Sequence, residues 1–257
     1  MKRNAEPIPE VGAYRTPRHL YYFGGEGPWP GVTTITDVLD KPALTYWKRE
    51  QVAVAAIEHA DRLLEDRIAG NAEAAVAFLL KARDPGTDGR DRGTRLHAAI
   101  ESILSHETVT SQPEDVPAIE GARAWLNQQA TQHGLQVLEV ESYMLNPELG
   151  YAGTVDLIAE LDGETWLLDW KTGKTVADRS GKVYREMKLQ LAAYSHASFI
   201  GRPADATRYP VPPITRHGIV HVTDAGTRLY DAEVTESDWI AFRAALYLHT
   251  WSNEVAA

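Results

Sequence analysis

The stretch from Gly153 to Lys174, GTVDLIAELDGETWLLDWKTGK, constrains the fold more than any other part of the chain. Asp162-Gly163 separates two apolar runs. An Asp-Gly pair in that setting signals a two-residue hairpin, because both central residues must accept positive φ. Tyr151–Leu161 and Glu164–Trp170 therefore read as antiparallel neighbours. A turn centred on residues 162–163 sets Asp156 roughly opposite Asp169. Asp169 and Lys171, two apart on one strand, point to the same side. Two carboxylates and an ammonium thus converge at the ends of apolar strands. Carboxylates held that close repel one another unless a cation lies between them. Oxygen ligands favour Mg²⁺ or Mn²⁺, and such an ion can polarise a phosphodiester and generate hydroxide. The lysine can position or deprotonate the attacking water, or stabilise charge on a pentavalent phosphate. The competing reading of this spacing is a surface hairpin with polar ends.

Around the hairpin the pattern changes character at Leu138. Before it, residues 1–31 are rich in Pro, Gly and aromatics and read as irregular, with one short strand at His19–Phe23. A short helix capped by Thr33 or Thr34 runs to about Leu39. Pro42 opens a second helix reaching about Leu64, and Asn71 caps a third over Glu73 to Ala82. Residues 83–92, RDPGTDGRDR, read as a loop. Two more helices follow, about Gly93–Ser105 and Val116–His133. Past Leu138 come strands at 138–145, 151–161 and 164–170, a helix at 184–200, strands at 215–222 and 227–233, and a terminal helix from Ser237 to about His249 with Thr235 as its cap. Hairpins combined with a helix between strands imply an α/β (α+β) fold, a mixed central sheet with helices against it. Residues 1–92 read as an irregular and helical region packed on a core formed by 93–257, the whole as one domain.

Composition narrows the chemistry. The chain has no cysteine. Disulfides, thiolate zinc sites, cysteine nucleophiles and cysteine-held iron–sulfur clusters are excluded. A cytoplasmic location is consistent with that absence. The formal net charge of −10 argues against broad electrostatic adhesion to nucleic acid. A local, metal-using contact fits it better, because bound divalent ions offset carboxylate charge where they sit. No apolar run approaches the ~18 residues of a membrane span.

Two further pieces flank the hairpin. His97 and Glu101 lie four apart on one helix face, after Gly93 and Arg95. A lone helical histidine is usually structural. Beside a carboxylate pair it can complete a metal's coordination, with Glu101 orienting its ring. Gln190 and Tyr194 are again four apart, behind a basic segment that includes Lys174. Gln190 can bond a phosphate or the lysine. Tyr194 can stack on a base or hold a phosphate. Leu189, Leu191, Ala192 and Ala193 read as packing residues, as do Trp125 and Trp166. Tyr21, Tyr22, Phe23 and Trp29 read as pinning the N-terminal segment to the fold, with base stacking as the alternative.

In order, Gly93…His97, Gly153…Asp156, Asp169-Trp-Lys171 and Gln190…Tyr194 resemble the four blocks of the RecB-like branch of the PD-(D/E)XK nuclease superfamily. The resemblance implies a restriction-endonuclease-like core and Mg²⁺- or Mn²⁺-dependent cleavage of DNA. It implies His97, Asp156, Asp169 and the Trp170 carbonyl as metal ligands and Lys171 as the catalytic lysine. Gln190 and Tyr194 would support the site or contact DNA, with Glu101, Glu141, Arg95 and Lys174 as further supporting candidates. Lacking cysteine and any phosphate-binding loop, the chain is similar to small phage-type exonucleases without an iron–sulfur cluster. That likeness points to DNA with a free end as substrate, in recombination or repair. A recombinase or single-strand-binding protein as partner, and self-association, are left open. A structure-specific or nicking endonuclease and a non-catalytic DNA-binding module are the competing readings.

Overall fold

Asp162 takes φ 53° and Gly163 φ 76°, the left-handed pair that a tight hairpin turn requires. The chain then returns antiparallel in the expected register, from Leu161↔Glu164 through Leu157↔Leu168. This computed structural model describes residues 10–40, 42–82, 85–203 and 205–254. Its strands are β1 (Ala13–Arg15), β2 (Leu20–Phe23), β3 (Glu26–Pro30), β4 (Gln136–Asn146), β5 (Tyr151–Leu161), β6 (Glu164–Lys171), β7 (Phe199–Arg202), β8 (Asp205–Tyr209), β9 (Arg216–Thr223) and β10 (Gly226–Asp231). Its helices are α1 (Val32–Thr36), α2 (Pro42–Glu58), α3 (Ala60–Ile68), α4 (Ala72–Ala82), α5 (Pro85–Leu104), α6 (Val116–His133), α7 (Arg185–Ser195) and α8 (Glu236–Glu254).

Seven strands form one sheet in the order β10-β9-β6-β5-β4-β7-β8. The β4–β5 and β5–β6 pairs are antiparallel, whereas β6–β9 is parallel. The sheet is therefore mixed, as expected for an α/β fold. Alternation sorts its side chains. Leu157, Ala159 and Leu161 of β5 join Trp166, Leu168 and Trp170 of β6 against Leu96, Ala99 and Ile100 of α5 and the buried face of α6. Trp125 and Trp166 are core residues there. The other parity carries Asp156, Asp169 and Lys171, which meets α7. That helix buries Leu189, Leu191, Ala192 and Ala193. Its far end is held by the Tyr151 hydroxyl donating to the Ala193 carbonyl at 2.8 Å and by Asn146 Nδ2 donating to the His196 carbonyl at 2.8 Å.

Residues up to Val38 and from Arg95 onward cluster as one unit, and Leu39–Thr94 as another. Within the second, Phe78 lies between the edge of His59, with ring centroids 5.0 Å apart, and the Arg62 guanidinium, 3.7 Å from its centroid. No helix among the described residues is long and apolar enough to cross a membrane.

Several local expectations need correction. The N-terminal segment is not irregular with one strand: β1, β2 and β3 form a three-stranded antiparallel sheet, turned at Gly24 and Gly25 with φ 58° and 81°. Its residues 1–9 lie outside the described residues. Gly31, not a threonine, is the N-cap of α1. The second helix breaks at His59, and α3 continues to Ile68. The 83–92 loop is helical from Pro85 onward, with proline at a first-turn position that needs no N–H; residues 83 and 84 lie outside the described residues. The helix expected over 184–200 ends at Ser195. Ser198 N–H bonds the Leu145 carbonyl at 2.7 Å, and Phe199–Arg202 joins the edge of β4. Tertiary pairing overrides the helical pattern there.

Candidate metal and phosphodiester site

Three elements bring the polar groups together. Leu96 and Ile100 are 2% and 0% exposed and fix the helix that carries His97. On β5, Asp156 sits just beyond the last ladder pair of the hairpin. Its Oδ2 accepts the Trp170 N–H at 2.7 Å, so the side chain takes over where strand pairing stops. On β4, Glu141 falls opposite Asp156 in the β4–β5 register that pairs Val140↔Leu157 and Ser142↔Val155. Glu141 also has φ 46°, a left-handed conformation rare for a side-chain-bearing residue and of the kind that collects at functional sites.

One ligand atom each from His97, Glu141 and Asp156 lie within 4.8 Å of one another. His97 Nδ1 is 3.7 Å from Asp156 Oδ1, and the ring also hydrogen-bonds the Trp170 backbone. An imidazole and two carboxylates at that spacing are a suitable donor set for a divalent cation. Burial and mutual repulsion act on these carboxyl groups. Burial pushes the Asp156 carboxyl well above its ordinary range, and repulsion from Asp169 adds to this. Burial, then Glu101 and Asp169, push Glu141 up to about 7, while Arg15 pulls it down. Burial holds His97 below its ordinary value against the pull of Asp169.

Beside this triad lies a hydrogen-bonded network. Lys171 Nζ contacts Asp169 Oδ2 and donates to Gln190 Oε1 at 3.2 Å. Gln190 Nε2 donates to Asp169 Oδ1 at 2.8 Å and to the Tyr194 hydroxyl at 3.1 Å. Burial works against the charged lysine, but the Asp169 and Asp156 carboxylates outweigh it, so the ammonium titrates above its ordinary value. Asp169 Oδ2 is buried and lacks a hydrogen bond of good geometry, although the lysine faces it.

Tyr194 is 2% exposed and burial raises its pKa, so no base can stack on it. Its ring fills the space over Gly153, where a Cβ would come within 2.5 Å of Tyr194 Cε1. The glycine of one motif block and the tyrosine of another are thus two halves of one packing contact. Arg95 is turned away from the site role as well. It forks onto Asp115 with Nε–Oδ2 2.6 Å and Nη2–Oδ1 3.2 Å, and Asp115 is fully buried. Glu101 is exposed and reaches Glu141 electrostatically, and among the described residues no hydrogen bond joins it to His97. Lys174 is exposed in the segment after β6, where the His221 ring donates to the Gly173 carbonyl at 2.6 Å.

Sequence reasoning missed Arg15 and Asp115 and gave Glu141 little weight. A β-strand carboxylate in the register slot facing Asp156 was the available signal for Glu141. Nothing local in the sequence marks the other two, whose partners are remote in the chain.

No curated protein matches the chain. Residues 116–205 match the family model of the PD-(D/E)XK nuclease superfamily; that stretch holds Glu141, Asp156, Asp169, Lys171, Gln190 and Tyr194, and His97 lies ahead of it. Over that stretch, from α6 to the start of β8, the chain is similar to the PD-(D/E)XK nuclease superfamily.

Proposed function

We propose that the chain is a metal-dependent deoxyribonuclease that hydrolyses DNA phosphodiester bonds from free ends, in phage or bacterial recombination and repair. The observation that carries this reading is the meeting of His97, Glu141 and Asp156 within 4.8 Å, directly beside the Lys171–Asp169 pair. In this reading those three residues hold Mg²⁺ or Mn²⁺, with Asp169 and the Trp170 carbonyl completing the set. The bound ion supplies Lewis-acid polarisation of the phosphate and a water of lowered pKa. Lys171, charged and half-buried, stabilises negative charge gained by the phosphate rather than acting as a base. Gln190 keeps Lys171 and Asp169 apart from solvent and in register, and Tyr194 holds Gln190. Glu101 adds negative charge at the rim, toward the ion. The net charge of −10 leaves DNA affinity to depend on the ion and on few local cations.

The test is cleavage of linear and covalently closed circular DNA by wild type and Lys171→Ala, with Mg²⁺, Mn²⁺ or EDTA. Metal-dependent loss of linear DNA alone, abolished in the variant, is expected. Rapid nicking of closed circles would replace the end-dependent reading with an endonuclease. Equal activity in both proteins would reject the assigned site.

A further inference from the structure

The three-stranded N-terminal sheet reaches the site. Its face made by Ala13, Tyr21 and Phe23 packs on Leu145, Ala152 and Phe199. Bridges at Gly31↔Ala152 and Gly12↔Pro203 tie its two ends to the central sheet. Along this face the next step leads to the carboxylates. The Tyr21 hydroxyl is 3.2 Å from Thr154 Oγ1, two residues before Asp156. The Tyr21 ring meets Tyr143 edge-on at 5.8 Å, two residues after Glu141. Arg15 is the cross-strand partner of Tyr21, and directly opposed residues share a face. Just as Ala13 precedes Arg15 by two on β1, Leu145 and Tyr143 lead by twos to Glu141 on β4. Arg15 is exposed and acts electrostatically on both Glu141 and Tyr143.

Among the described residues Lys171 pairs with Asp169 inside the site, while Arg95 pairs with Asp115 and Lys188 with Asp238. Arg15 makes no ion pair within 4 Å and no side-chain hydrogen bond among the described residues. An exposed guanidinium with open donors at the rim of a carboxylate site is suited to bidentate capture of a phosphate. We infer that Arg15 is a phosphate-binding residue, taking a phosphate of the DNA strand that enters the site. The inference rests on the nuclease reading above and adds the N-terminal sheet to the substrate-binding surface.

The experiment measures binding, separately from cleavage. A short fluorescein-labelled duplex, with or without a 5′-phosphate, is titrated with wild type, Arg15→Ala, Arg15→Gln and Arg15→Lys in Ca²⁺ over a salt series, by anisotropy. Loss of one phosphate contact lowers the slope of log affinity against log salt by about 1. Arg15→Ala and Arg15→Gln are expected to weaken binding about tenfold with that slope change, and Arg15→Lys to keep the slope. If Arg15→Ala melts early, the Gln and Lys pair decides. Equal losses on both duplexes assign a backbone phosphate, and a loss confined to the phosphorylated end assigns a terminal one; either supports the inference. Unchanged affinity and slope in variants of a cleaving wild type would overturn the role of Arg15 alone. A wild type that neither binds nor cleaves DNA with Mg²⁺ or Mn²⁺ would overturn the nuclease reading and this inference together.

Discussion

Single residues decide the chemistry here, and their charge states can be tested directly. Glu141 titrates at about 7 instead of 4.5, so the folded chain favours its protonated form. Between those values the unfolded chain loses the proton first. Metal-free stability therefore falls as pH rises from about 4.5 to 7, by roughly 3 kcal/mol at most for this group. Melting in EDTA should show wild type losing more stability than Glu141→Gln across that window. Parallel profiles would remove the argument. Lys171→Ala should lower the cleavage rate by about 100-fold or more, measured at saturating DNA. At Gly153 the predicted defect is steric. Gly153→Ala places a methyl 2.5 Å from the Tyr194 ring and should cost about 1–3 kcal/mol of stability. Combining it with Tyr194→Ala should be clearly non-additive in thermal melts. At this scale the sequence was readable where partners lie on one hairpin or one helix turn. Asp169 with Lys171 and Gln190 with Tyr194 are local pairs. The contact between Gly153 and Tyr194 spans two elements, and no spacing rule reveals it.

Among the elements, those with a strong local signal form where the pattern puts them. The Asp162-Gly163 hairpin has its expected register because the two φ values leave no alternative turn length. Helix α6 ends at His133, before Gly134 with φ 63°, a left-handed cap that glycine accepts freely. Thr235 precedes α8, but the bond runs the other way from the expected cap. The Asp238 carboxylate accepts from the Thr235 N–H and hydroxyl, both at 2.8 Å, one half of a capping box. Strands β1, β3, β7 and β8 were not legible, being three to five residues long and dependent on partners elsewhere in the chain. The same holds for the start of α6, where Asp115 is buried under the Arg95 fork. Asp115→Ala removes both bonds of the fork while Glu114 stays within reach of Arg95, and should cost about 1–3 kcal/mol in denaturant unfolding. Arg95→Lys should also lose stability, since an ammonium cannot make both bonds. An undiminished unfolding midpoint in Asp115→Ala would show the fork to be dispensable.

For the whole molecule, the mixed seven-stranded sheet gathers groups from residue 97 to residue 194 at one end of the β5–β6 hairpin. Among them Glu141, Asp156 and Asp169 set three carboxyl groups against the one ammonium of Lys171. A divalent ion should therefore act as a stabilising ligand of the entire fold. At about a hundred times its Kd, Mn²⁺ should add about 2.7 kcal/mol, read as a rise in melting temperature. Asp156→Ala should abolish that rise, and a shift retained in the variant would place the ion elsewhere.

The packing of Tyr194 over Gly153 also bears on how this site can drift. The two positions lie 41 residues apart in the chain, as their numbers show, yet a methyl group at one is incompatible with the ring at the other. Neither can change freely while its partner stays. Descendants of this sequence should keep the pair or replace it jointly, with a smaller side chain at 194 arriving before any side chain at 153. Two distant letters of the sequence are inherited as one trait.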